Sequence, residues 1–147
     1  LYYWYPGTYS KSWDAFYSKP NTFELYVAGT WQTITAKYSY GVTDIFGNKD
    51  SKGSGYLDLS GTYDLGDGLN AVAHLGYQYI PASASAGRTR SDGSYTDWKL
   101  GLTKDIEGVT VGLSYIGTNA KSSFYTNSIY NKDLGKGTAL LSVTKTF

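Results

Sequence analysis

Most of this chain alternates apolar and polar residues with a period of two, and the alternating runs are joined by connections that are short and long in turn. Phe23, Leu25, Val27, Gly29 and Trp31 fall on one side of an extended strand, with Glu24, Tyr26, Ala28 and Thr30 on the other. Leu57, Leu59, Gly61, Tyr63 and Leu65 likewise oppose Tyr56, Asp58, Ser60, Thr62 and Asp64. The pattern recurs in 34–42, 69–79, 95–106, 109–116 and 137–147. Such spacing is that of strands with one apolar and one polar face. The runs are divided by brief reversals at Gln32, at Gly66-Asp67-Gly68 and at Glu107-Gly108, where Gly tolerates the positive φ of tight hairpins. Between them lie the long stretches Thr8 to Lys19, Asp44 to Ser54, Pro81 to Ser94 and Thr118 to Lys136. The expected fold is all-β and antiparallel, with about eight strands in this chain.

A soluble up-and-down barrel has no reason to lengthen every second connection. An outer-membrane barrel does, because short turns face the periplasm and long loops face outside. Most of the runs approach the roughly 9–11 residues that a membrane strand needs. With strand directions set by the turns, Trp31, Tyr63 and Phe147 fall toward the periplasmic edge, and Tyr40, Tyr79, Trp98 and Tyr115 toward the outer edge. Two such aromatic girdles around a band of Leu, Val, Ala and Gly suit a bilayer. Lys104 and Lys145, the charges on the apolar face, sit near the periplasmic rim, where a lysine snorkels. Glu24, Lys37, Asp58, His74, Gln78, Asp97 and Lys99 occupy the opposite face and are assigned to the lumen. The expectation is a transmembrane β-barrel, weighed against a lipocalin-like soluble barrel with its apolar face turned inward around a ligand.

Composition narrows the field further. A length of 147 residues is one domain's worth of chain, and 16 Tyr and 18 Gly against 3 Pro suit a β-rich protein with interfacial rings. The lack of Cys excludes a disulfide scaffold and thiol-ligated metal or redox chemistry. A net charge of +1 with no basic cluster gives no electrostatic case for nucleic acid. No run approaches the ~18 apolar residues of a membrane helix, and no signal peptide is apparent at the start. The lack of Met, even at position 1, is expected of a processed chain or a fragment.

Motifs for chemistry are few. Gly66-Asp67-Gly68-Leu69-Asn70-Ala71 fits a loose dinucleotide pattern, but a period of two follows it where a pyrophosphate-binding helix should open. His74 is the single histidine, mid-strand on the polar face and without a nucleophile elbow, so it is expected to be a hydrogen-bonding lumenal residue. Asp44, Asn48 and Asp50 lack the spacing of a calcium loop. No catalytic residue, metal ligand or cofactor is therefore assigned. Lys11, Lys19, Arg88, Arg90, Lys121, Lys132 and Lys136 fall in the long connections, within reach of lipopolysaccharide phosphates.

The Tyr5-Pro6-Gly7 junction, Glu24-Leu25-Tyr26, Tyr38-Ser39-Tyr40 leading to Asp44 and Phe46-Gly47, and above all Tyr95-Thr96-Asp97-Trp98-Lys99-Leu100-Gly101 resemble the TorF-family porins of proteobacteria. The resemblance spans most of the chain. It implies an outer-membrane location and a porin label, and brings no catalytic or ligand residues with it. It also implies longer members, so that Leu1 to Tyr5 is the upper half of a strand and the chain belongs to a larger barrel of about 12 strands whose N-terminal strands are missing.

The expected function is a porin-like passive channel for small solutes. Its carboxylates Glu24, Asp58, Asp64, Asp97 and Asp105 outnumber Lys37 and Lys99 and favour cations. The alternative is a non-conducting barrel, filled by its own side chains, that anchors or docks a protein partner or a second copy through the aromatic loops Thr8 to Lys19 and Ser122 to Tyr130. Outer-membrane lipid and lipopolysaccharide are expected partners in either case.

Overall fold

The alternating runs become one antiparallel meander. In the computed structural model, residues 1–7, 18–81, 90–127 and 130–146 are described. The elements are β1 (Tyr2–Tyr3), β2 (Thr22–Trp31), β3 (Ile34–Gly41), β4 (Gly55–Gly66), β5 (Leu69–Tyr79), α1 (Arg90–Gly93), β6 (Tyr95–Ile106), β7 (Val109–Thr118), α2 (Ser122–Tyr125), β8 (Thr126–Asn127), β9 (Lys132–Asp133) and β10 (Thr138–Lys145). Strands β1 to β7 and then β10 form an eight-stranded sheet in sequence order, and β8 pairs with β9 apart from it. Among the described residues no ladder joins β10 to β1, so the sheet has two edges. Phe147 lies outside the described residues.

Register follows from the turns. The reversals hold Gln32, Asp67 and Glu107 at φ of 52°, 52° and 51°, and Gly68 and Gly108 follow at 74° and 81°. At Asp67-Gly68 and Glu107-Gly108 both central residues have positive φ, the hairpin geometry that matches strand twist. At the middle turn the register shifts between Asp64 and Gly66. There Asp64 Oδ1 accepts from the Gly66 amide at 2.7 Å, and Lys104 Nζ donates to the Asp67 carbonyl at 2.5 Å. The lysine expected to snorkel thus bends to a turn carbonyl.

Exposure is inverted relative to an ordinary globular sheet. Apolar side chains stand clear of the protein, with Val27 69%, Leu100 66% and Leu141 70% exposed. On the other face the His74 and Asp97 side chains are only 18% and 20% exposed. Within the described residues the buried hydrophobic side chains are Ile45 and Ile80, both at the end of the sheet where the long connections gather. The girdle residues Trp31, Tyr40, Tyr63, Trp98 and Tyr115 all point from the apolar face and are exposed, while Tyr79 is half-buried.

The long connections hold more structure than their composition suggests. The segment 44–54, expected as a polar loop, folds around Ile45. The Ile45 amide donates to Ser51 Oγ at 2.8 Å, the Phe46 amide donates to Thr22 Oγ1 at 2.7 Å, and Phe46 meets Tyr3 edge-on at 5.2 Å. The stretch 81–94 ends in α1, and 118–136 contains α2, β8 and β9. Both one-turn helices form because rings pack them together. A Cβ on Gly93 would touch Phe124 and Ile80 at 3.1 Å, and Tyr125 donates its hydroxyl to the Gly93 carbonyl at 2.5 Å. Residues 8–17 and the side chains of Arg88 and Arg90 lie outside the described residues, and with them the greater part of the first aromatic loop.

Candidate functional site: the polar face of the sheet

Strands β3 to β6 place the ionisable residues in two lateral rows. Lys37 faces Asp58, Asp58 faces Gly76 and Gly76 faces Asp97 in one row. In the next row Ser60 faces His74 and His74 faces Lys99. Diagonal neighbours on an antiparallel pair lie within reach of long side chains, so His74 meets the carboxylates on both flanking strands. Its Nδ1 lies 3.3 Å from Asp58 Oδ2, and its Nε2 lies 2.8 Å from Asp97 Oδ1. A neutral imidazole donates from one nitrogen and a protonated one from both, so the protonated ring uses both acceptors.

Tyr56 and Ser60 complete the cluster. Tyr56 donates its hydroxyl to the Asp97 carboxylate at 3.0 Å and also lies 3.2 Å from His74 Nε2. Ser60 Oγ donates to Asp58 Oδ1 at 2.6 Å, so it is turned toward a carboxylate and not toward the imidazole. Gly76 makes the arrangement possible. A Cβ there would stand 2.1 Å from Tyr56 Oη and 2.5 Å from Asp97 Oδ2, so the missing side chain is the space the cluster occupies.

The remaining polar residues stand apart from this cluster. Lys37 lays its Nζ 4.8 Å over the Tyr26 ring, a cation–π contact. Among the described residues neither Lys37 nor Lys99 lies within ion-pair distance of a carboxylate, so the cross-face pairing is made by histidine. Gln78 donates to the backbone carbonyls of Gly55 and Tyr79, both at 3.1 Å. Glu24 faces Gly41 at the long-connection end and is half-buried. Tyr56, Ser60 and Gly76 were not among the expected site residues. Two of them carried a signal, since they alternate in phase with Asp58 and His74, whereas the role of Gly76 depends on the pairing of three strands.

A cavity of about 300 Å³ opens on the same face toward the long connections, lined by Tyr56, Tyr95, Asp97, Tyr125 and Lys136 among others. The Tyr95 and Tyr125 rings meet edge-on at 5.3 Å. Burial, and then the nearby Tyr95, push the Tyr125 hydroxyl well above the ordinary range for a phenol, which keeps it a neutral donor. The far wall is braced by Asp133, whose carboxylate accepts from Ser122 Oγ at 2.6 Å and from the Gly135 amide at 2.9 Å. Those two bonds, with the charge of Lys136, hold its carboxyl below the usual range. Among the described residues no group of three or more His, Asp or Glu side chains is arranged to hold a metal ion.

Comparison with known proteins gives a family without an activity. Residues 1–147 match the family described as a bacterial protein of unknown function (Gcw_chp), and the chain belongs to it. No curated protein and no solved structure matches the chain.

Proposed function

We propose that this Gcw_chp protein is an outer-membrane β-barrel wall whose polar face lines a lumen, and that it acts as a porin-like passive channel for small solutes. The observation that carries the reading is the inverted exposure: a continuous apolar face with Leu113 62% and Leu141 70% exposed backs a polar face on which His74 and its carboxylate partners are sheltered. In water such a face is an aggregation surface, whereas in a bilayer it is the solvated side. Bands of Trp and Tyr at both ends of the strands, and Lys104 at the short-turn end, fit the two interfaces of a membrane. The resemblance to TorF-family porins points the same way. Exposed Lys19, Lys132 and Lys136 at the opposite end suit the phosphates of lipopolysaccharide.

Single-channel recording of the full-length protein in planar bilayers tests the channel. Discrete conductance steps are expected, and silence at every voltage from protein that is folded in the membrane overturns it. A second reading, a non-conducting anchor, is favoured by one feature. The carboxylates of Asp58 and Asp97 at the middle of the polar face are satisfied by His74 and Tyr56 within the wall itself, which suits an interior filled by side chains. Silence together with a stoichiometric partner that is lost on deletion of the long loops is the outcome that selects it.

A further inference from the structure

We propose that the cavity between the polar face, α2 and the segment that follows β9 (134–136) binds a small zwitterionic solute, one with an ammonium group and a carboxylate on a short apolar body. The inference names a solute class for the channel and rests on that reading only for the solute's route, since the binding geometry is a property of the folded wall.

Opposite charges line a single small space. Asp97 lies on the sheet side and Lys136 on the loop side of the cavity. A carboxylate offers about four lone-pair sites. On Asp97, His74 Nε2 lies at Oδ1 and the Tyr56 hydroxyl reaches both oxygens, at 3.2 and 3.0 Å, leaving capacity on Oδ2. An ammonium group brings three donors and is further favoured over aromatic faces. The rings of Tyr56, Tyr95 and Tyr125 supply those faces. A simple anion meets Asp97, and a simple cation meets Lys136. A zwitterion satisfies both at once, and Leu134 with the tyrosine rings shelters its apolar part. A volume of about 300 Å³ stands at the small end of ligand sites and suits a solute of amino-acid size. The loop wall is held in place by the Asp133 bonds to Ser122 and Gly135, and by the Leu134 amide, which donates to the Tyr125 carbonyl at 3.1 Å.

Calorimetric titration of the full-length protein in detergent micelles tests the site with L-leucine as probe. The comparisons are isopentylamine, which lacks the carboxylate, and 4-methylpentanoate, which lacks the amine. Leucine is expected to bind at least about tenfold more tightly than either, the loss of one charge contact being about 1.4 kcal/mol. Lys136→Glu should abolish the preference for leucine and raise isopentylamine above it. Asp97→Asn should weaken leucine about tenfold. Because Asp97 also holds His74 and Tyr56, the exposed Lys136 carries the decisive variant. Leucine binding no tighter than either analogue, or unchanged by Lys136→Glu, overturns the site, as does the absence of binding in protein that migrates as a folded barrel on unheated gels. Conductance without leucine binding sinks this inference alone. Leucine binding by a silent protein sinks only the channel.

Discussion

His74 is held by two carboxylates and shares one of them with Tyr56, so its loss leaves acceptors in a sheltered place without donors. Removing one partner of such a network costs about 1–3 kcal/mol. His74→Ala should therefore lower the urea midpoint of the membrane-inserted protein by an amount of that order, with His74→Gln recovering part of it. Gly76→Ala tests the same cluster from the other side, because the new methyl meets the Tyr56 hydroxyl and Asp97. Overpacking of this kind costs about 1–3 kcal/mol, and the expected result is a midpoint shift with displaced His74 ring resonances. Asp133 gives a pH dependence with a definite sign. Its folded carboxyl sits below the ordinary 3.8, so its contribution is present above that value and is lost as pH falls through the lower folded value. Proteolysis of the connection 118–137 should rise below about pH 4, and Asp133→Asn should be cut equally at every pH.

At the scale of the element, the short turns decide register and the long connections build a cap. Gly108 at φ 81° has nothing within 4 Å of an added Cβ, so Gly108→Ala is a purely backbone test. Alanine at positive φ should cost about 1 kcal/mol or more without moving any ligand contact, read as a shifted unfolding midpoint with unchanged leucine titration. The hairpins were legible because Gly66-Asp67-Gly68 and Glu107-Gly108 carry their own turn chemistry. The cap was not legible. α1 and α2 are single turns without helix-forming periodicity, and they exist because Ile80, Gly93, Phe124 and Tyr125 meet from distant parts of the chain. Ile45 was hidden for the same reason, since it is the buried apolar side chain of a segment that is polar by composition, with its own amide held by Ser51 and the neighbouring Phe46 amide held by Thr22.

For the whole molecule the decisive quantity is what surrounds the apolar face. Leu113 stands at mid-strand in β7 between Leu102 and Leu141 and is 62% exposed. In water a substitution at so open a site costs within about 0.5 kcal/mol. At the midplane of a bilayer an arginine costs about 2–4 kcal/mol. Leu113→Arg should therefore lower stability by the larger amount in vesicles, and a change within the smaller range removes the membrane from the proposed function. If the channel conducts, reversal potentials in a salt gradient should show a mild cation preference, since carboxylates outnumber lysines on the polar face.

The sequence by itself determined the class of fold, the number and phase of the strands of the main sheet and the position of the hairpins, because each is written in a period of two and in local turn residues. Which face shelters what, and which polar groups touch, was decided by the tertiary structure. Asp58, His74 and Asp97 lie on three separate strands, and only the β4 to β5 and β5 to β6 registers bring them together over the gap at Gly76. A one-residue slip of β5 would turn His74 to the apolar side and away from both carboxylates. The alternation of a strand is a local property, whereas pairing across strands is a property of the whole sheet.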